Sequence, residues 1–216
     1  MSSSDDDALL GDRRASTKGE RQRRSILESL TALLATRPIG ELTVGEIAVA
    51  AGVRRSGYYF YFESKYTALA VLTSEIWSEL MERARAFTRF DDETAGEFLS
   101  RTAGAAVETW HVHDAVLVAS IQAIPLDEQL ASMWKEWNAR LAGILTEQVL
   151  KDQVQGVAKP IAADVPMLVS TLLEMTMHMF YEDRLHSNTE AETSRMLGTV
   201  RAIWLASAWG ITEPRI

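Results

Sequence analysis

An all-α fold is predicted by three observations on the 216-residue sequence. Apolar residues recur at helical spacing along most of the chain, no segment sustains the two-residue alternation of a strand, and no repeat of 20 to 50 residues is present. Breaks at "RPIG", Pro125, "VQGVAKP" and "LHSNTE" cut the pattern into about nine helices. The first runs from about Thr17 to Thr36, with Ile26, Leu27, Leu30, Leu33 and Leu34 on one side. Thr43 as N-cap and Glu46 three residues on form a capping box. The short helix it opens turns Val44, Ile47, Ala48 and Ala51 inward and ends at Gly52. After a tight turn, a third helix spans about Arg54 to Tyr61. Ser64 is the N-cap of a long fourth helix reaching about Phe87, whose stripe includes Ala68, Leu72, Ile76, Leu80 and Met81. Further helices are placed at about 94–110, 114–122, 127–152, 163–183 and 190–209.

Composition narrows the class of protein. Hydrophobic residues make up 47% and charged residues 24%, as in soluble globular chains. There are no cysteines, which excludes disulfides, thiolate catalysis and cysteine-bound zinc. The acidic start "MSSSDDDALLGDRR" does not read as a secretory signal, and the most apolar stretch, "MLVSTLLEMTMHMF", is too short to span a bilayer. A cytoplasmic protein without a membrane partner is expected. The net charge is −8, yet it is unevenly spread: Arg13 to Lys65 holds 10 Lys/Arg against 5 Asp/Glu, whereas Tyr66 onward holds 12 against 21. We therefore expect a polar tail over 1–16, a basic unit over 17–65 and an acidic unit over 66–216.

Two short helices joined by a glycine turn and preceded by a supporting helix make a helix-turn-helix. Its second helix carries five consecutive aromatic residues, Tyr58 to Phe62, behind Arg54 and Arg55. At about 100° per residue such a row goes all the way round the helix, so some rings must face something other than the chain's own core. Ser56 and Gly57 are small enough for the helix to sit deep in a major groove, where Arg54 and Arg55 meet base edges or phosphates. Phe62, with Tyr59 or Phe60, is expected to turn inward, while Tyr58 and Tyr61 offer hydroxyls to phosphate oxygens. Lys65 adds a charge at the N-terminus of the fourth helix. Arg13, Arg14, Lys18, Arg21, Arg23 and Arg24 form either an arm that reaches DNA or a solvated basic segment.

The stretch "LTVGEIAVAAGVRRSGYYFYFESKYTAL" resembles the DNA-binding signature of the TetR family of bacterial regulators, and "FYF" with "SK" two residues on resembles its EthR-type branch. The resemblance implies phosphate contacts from Thr43, Tyr61 and Lys65. It also implies a ligand-responsive repressor that binds an inverted-repeat DNA operator as a homodimer. The chain departs from the family at Gly57, where Thr or Ser usually supplies a hydroxyl to the backbone.

The acidic part is expected to dimerise and to sense. From Met167 to Tyr181 the one charged residue is Glu174, so that helix is apolar nearly all round and one face needs a partner. The final helix offers Met196, Val200 and Ile203 on one stripe and Leu197, Trp204 and Ala208 on the next. The resemblance implies that these last two helices pair with their copies as a four-helix bundle. Phe98, Trp110, Met133, Trp134, Trp137, Leu141, Met175, Phe180 and Trp204 lie on apolar stripes. Taken singly they read as core; together they resemble the aromatic pocket of EthR-like regulators, a slot for a small apolar or amphipathic ligand. Thr171, Glu174 and His178 follow one another at steps of 3 and 4, and Glu174 is the expected polar anchor.

Two other readings remain at this level. One is a DNA-binding dimer that senses nothing small. The other is a helical-bundle enzyme, for which His111, His113, His178 and Glu182 would be the metal candidates. A carboxylate-bridged iron site needs Glu-x-x-His on two helices, whereas Glu174 and His178 are four apart and unduplicated. No metal, cofactor or catalytic residue is expected.

Overall fold

A computed structural model describes residues 18–82 and 87–212. The predicted 1–16 tail, with Arg13 and Arg14, and the last turn of the fourth helix beyond Glu82 lie outside the described residues. Among those described there is no strand. The helices are α1 (Lys18–Leu34), α2 (Val44–Ala50), α3 (Arg55–Tyr61), α4 (Lys65–Glu82) and α5 (Ala95–Val112). They continue with α6 (Asp114–Ala123), α7 (Glu128–Val154), α8 (Val165–Leu185) and α9 (Glu190–Trp204). A π-helical turn over Leu205–Trp209 extends α9. Gly210, at φ +68°, ends it in the left-handed region.

Side-chain caps fix where these helices start. Capping boxes close Thr43 with Glu46, Thr94 with Glu97 and Thr189 with Glu192. Asp127 and Asp164 accept from the amides of Leu130 and Met167, and Ser64 accepts from that of Thr67. Each such cap contributes about 1 kcal/mol.

α4 joins the two ends of the molecule. It begins beside α3 and packs on α1, α5, α6 and α7. On its inner face Thr73 and Ser120 of α6, both fully buried, bring their hydroxyls to 2.6 Å. Each hydroxyl also lies against the carbonyl four residues back, Leu69 at 2.8 Å and Val116 at 2.7 Å. In the second half, α7 lies along α8 and α5 along α9. The C-terminal turn is tied down by Asp152, whose side chain is fully buried. It accepts from Arg89 (2.8 Å), Gln148 (2.9 Å) and the indole of Trp209 (2.9 Å).

The two apolar stripes expected on the last helix divide between the subunit's own core and solvent. Met196, Val200 and Trp204 are buried within the subunit. The sides left open are Met167, Thr171 and half-buried Met175 on α8, and Gly198, Ala202 and Ile203 on α9. A helix presents only about half its circumference to its own core, so the stripe filled by tertiary packing is not the one available to a partner.

Candidate functional site

α2, the turn and α3 form a rigid corner. Gly52 sits at φ +66°, and the amides of Gly52 and Val53 donate back to Val49 and Ala48 carbonyls. A side chain at position 52 would be strained in that conformation. Ser25 Oγ on α1 donates to the Ala51 carbonyl at 3.0 Å and so holds the turn against the supporting helix.

The ring row splits cleanly by helical phase. Tyr58 and Phe62, four residues apart, are buried against Ile26, Ile47 and Leu69 in one core. Tyr59 is 46% and Phe60 82% exposed. Two expectations are thereby corrected. Tyr58 is a core residue, not a phosphate ligand: it has no solvent exposure and its hydroxyl donates to the Ser64 carbonyl at 3.1 Å. Burial raises the pKa of that phenol well above its ordinary value. Neither Tyr59 nor Phe60 turns inward, because they stand about 100° and 200° round the helix from the inward Tyr58.

The outer face of α3 is built from Arg54, Arg55, Ser56, Tyr59 and Phe60, all exposed. The Arg55 guanidinium leans on Tyr59, its Cζ 5.8 Å from the ring centre, which keeps it extended along the helix. Gly57 is half-buried, and a Cβ there would meet only that of Val53, at 3.9 Å. Glycine is therefore not sterically required, and what it forgoes is a hydroxyl. Tyr61 is half-buried and its hydroxyl donates to Gln22 Oε1 on α1 at 3.1 Å.

Thr43 and Lys65 flank this face, each with bonds of its own. The Thr43 hydroxyl donates to Glu46 Oε2 (2.7 Å) and accepts from the Glu46 amide. Lys65 Nζ donates to the carbonyls of Gly40 (3.1 Å) and Leu42 (2.8 Å), closing the turn before α2. An ammonium has three protons, so one remains for a phosphate. Burial lowers the Lys65 pKa and the charge of Glu46 opposes that shift.

Glu46 gives this corner a pH dependence. Hydrogen bonds from the Thr43 hydroxyl and amide, then from Arg37, hold its carboxyl down from the ordinary 4.5 to about 2. A depressed folded-state pKa stabilises the fold fully above about 4.5, and that stabilisation fades as pH falls toward 2. Glu46→Gln should therefore be less stable than the native chain at neutral pH and converge on it in acid. Urea titrations at a series of pH values check this, and a gap that persists unchanged to pH 2 would rule it out.

The second half holds an apolar cavity of about 60 Å³, lined from α4, α5, α6, α7, α8 and α9. Trp110, Leu141, Phe180 and Trp204 line it, joined by Ile76, Trp77, Thr176 and Met177. Thr171, Glu174 and His178 do not. They lie on the exposed side of α8, and Glu174 and His178 border an open groove shared with Trp134 of α7. Glu174 is thus a solvated carboxylate and not a buried anchor; it is Thr176, Met177 and Phe180 that face inward. Phe98 is fully buried against Trp209, and Met133 and Met175 are half-buried away from the cavity. Trp137 stands behind it, stacked on Trp77 at 6.1 Å. Trp77 does not stand out in the sequence, although Thr73, Ile76 and Leu80 around it mark the same stripe.

The four histidines do not gather. His111 lies 3.6 Å from Asp183, His113 3.9 Å from Glu79 and His186 3.1 Å from Glu182. No group of three or more His, Asp or Glu that would hold a metal occurs among the described residues.

A cationic helix standing proud of a buried tri-helical corner, coupled by one long helix to an all-helical second unit, is the build of a helix-turn-helix transcriptional regulator. Residues 26–69 match the family described as bacterial regulatory proteins, tetR family, and residues 99–210, over half of the chain, match the transcriptional regulator EthR, C-terminal domain. The chain belongs to the TetR family of transcriptional regulators and is of the EthR type. It is 26% identical over 205 residues to the HTH-type transcriptional regulator EthR of Mycobacterium tuberculosis, covering 93% of each chain. The EthR of Mycolicibacterium smegmatis is 25% identical over 212 residues, covering 93% of this chain and 92% of its own. Solved structures share the fold. The fatty acid degradation regulator FadR from Bacillus halodurans superposes with a TM-score of 0.69 at 15% identity, over 89% of this chain and 97% of its own. PfmR from Thermus thermophilus gives 0.66 at 18%, over 93% and 100%. Members of this family are regulators and not enzymes. No described helix is long and apolar enough to cross a membrane.

Proposed function

We propose that this regulator is a cytoplasmic repressor that binds an inverted-repeat operator as a homodimer and is released by a small apolar or amphipathic ligand. The observation that carries the DNA reading is the outer face of α3: Arg54, Arg55, Ser56, Tyr59 and Phe60 stand in solvent while Tyr58 and Phe62 anchor them from below. The arginines reach base edges or phosphates, and the third proton of Lys65 reaches a phosphate. The DNA-binding unit extends over about 17–65, with 66–216 for sensing and pairing. One short helix reads too few base pairs, so two copies related by a twofold axis are required. Selection from random duplex DNA should recover an inverted repeat. Replacing Arg54 and Arg55 by alanine should cost at least tenfold in affinity and flatten the salt dependence by about one unit for each phosphate left unneutralised. Retention of native affinity in that variant would remove α3 from the interface.

Dimerisation through α8 and α9 is supported by their open apolar sides. Met167 is 64% and Ile203 37% exposed, beside the small Gly198 and Ala202. A Cβ at Gly198 would meet nothing within 4 Å in the subunit. Gly198→Arg should therefore fold, sediment as a monomer and lose operator binding. A dimer of unchanged affinity would place the interface elsewhere.

Release follows from α4. It starts at the DNA face and carries Ile76, Trp77 and Leu80 on the cavity wall. A ligand that favours one tilt of α4 moves the two recognition helices relative to each other, and a few kcal/mol of differential affinity empties the operator. A regulator without a sensor role is the second reading, favoured by the narrowness of the cavity: about 60 Å³ against the several hundred of a typical ligand site. Thermal melting against amphipathic compounds separates the two. Concentration-dependent stabilisation is expected of a sensor, and no shift across a diverse library of a non-sensor.

A further inference from the structure

Among the described residues, the Nε1–H of Trp77 is the one buried side-chain nitrogen or oxygen without a hydrogen-bond partner. Trp77 is 3% exposed and lines the apolar cavity. Its ring is fixed from two sides, stacked on Trp137 at 6.1 Å and edge-on to Trp134 at 5.6 Å. Leaving such a donor unmade is costly, and native folds rarely do it. Two other buried indoles are satisfied: Trp204 donates to Thr176 Oγ1 and Trp209 to Asp152. Two of the cavity hydroxyls have little to give, since Thr109 and Thr176 donate to the carbonyls of Ala105 and Leu172.

We propose that the Trp77 indole is the polar anchor of the cavity, and that the effector is a slim, uncharged apolar molecule carrying a carbonyl or ether oxygen that accepts this hydrogen bond. The proposal rests on the sensor reading above. The charge class follows from the lining. Among the described residues Arg201 is its only charged one, and Arg201 also borders the open depression beside Gly96 and Arg101, so it belongs to the rim. A carboxylate at Trp77 would exchange its hydration for a single N–H, whereas a neutral carbonyl gives up far less water. Filling an orphaned donor makes the oxygen worth more here than in a cavity whose donors are already paired.

The test uses the full chain and a matched pair of probes, heptanophenone and heptylbenzene, which differ by a carbonyl in place of a methylene. The ketone should bind about tenfold more tightly than the hydrocarbon once their difference in hydration is subtracted. In proton–nitrogen correlation spectra the chain has six indole N–H groups, and the one absent from Trp77→Phe should move downfield with the ketone and not with the hydrocarbon. Trp77→Phe should abolish the ketone's preference whatever it does to either affinity, so the ratio stays informative even if the smaller ring enlarges the cavity. If both probes bind and the Trp77 resonance moves alike with each, or the preference survives Trp77→Phe, the anchor is refuted while the sensor reading stands. If neither binds, the cavity reading fails and the anchor with it.

Discussion

Tyr58→Ala is expected to unfold the helix-turn-helix corner and, with it, to abolish operator binding. The ring is fully buried and packs on Phe62 at 5.8 Å. Removing an aromatic side chain from such a site costs about 3–5 kcal/mol, a large part of the whole stability of a domain. The expected fall in Tm is roughly 10 °C, and amide exchange should accelerate first in α2 and α3. Tyr58→Phe isolates the hydroxyl: it deletes the bond to the Ser64 carbonyl, the residue that caps α4, and should cost about 1 kcal/mol. Phe60→Ala provides the contrast, since a ring 82% exposed contributes little to folding. Its stability should be unchanged within about 0.5 kcal/mol while its DNA affinity drops. If Tyr58→Ala melts like the native chain and still loses DNA, Tyr58 contacts the nucleic acid after all.

Asp152→Ala should be the most damaging change in the second half. One buried carboxylate there satisfies a guanidinium, an amide and an indole drawn from three separate segments of the chain. Removing it leaves the Gln148 amide and the Trp209 indole without this acceptor and Arg89 with only its bonds to Phe90, Glu93 and Gln155, at about 3–5 kcal/mol for the broken charge pair. The neighbours share one partner, so the losses do not add. Arg89→Ala with Asp152→Ala should be less destabilised than the sum of the single variants by at least about 1 kcal/mol. Strict additivity in urea titrations would show that Arg89 and Asp152 act independently.

What the sequence disclosed divides along physical lines. Helix count and most boundaries were legible, because period, caps and breaks are local signals; "TVGE" predicted its capping box, and "TAGE" and "TEAE" carried the same signal for α5 and α9. The address of the aromatic row was legible, but its phase was not. Which of five adjacent rings turns inward depends on where α1 and α4 sit, and that is tertiary information. The same holds on α8, where Thr171, Glu174 and His178 shared a stripe in sequence but Thr176, Met177 and Phe180 reached the cavity. A helix that is apolar nearly all round has no polar face to fix its rotation. Trp77 escaped notice because its significance is an absence, an N–H with nothing opposite, which only packing reveals.

The joint between Thr73 and Ser120 holds two protons for three short oxygen–oxygen approaches. With the 2.6 Å hydroxyl–hydroxyl approach served, one of the two carbonyls, Leu69 or Val116, goes without a hydroxyl hydrogen. α4 and α6 therefore meet through a seam with two alternative proton arrangements, one serving the Leu69 carbonyl and the other that of Val116.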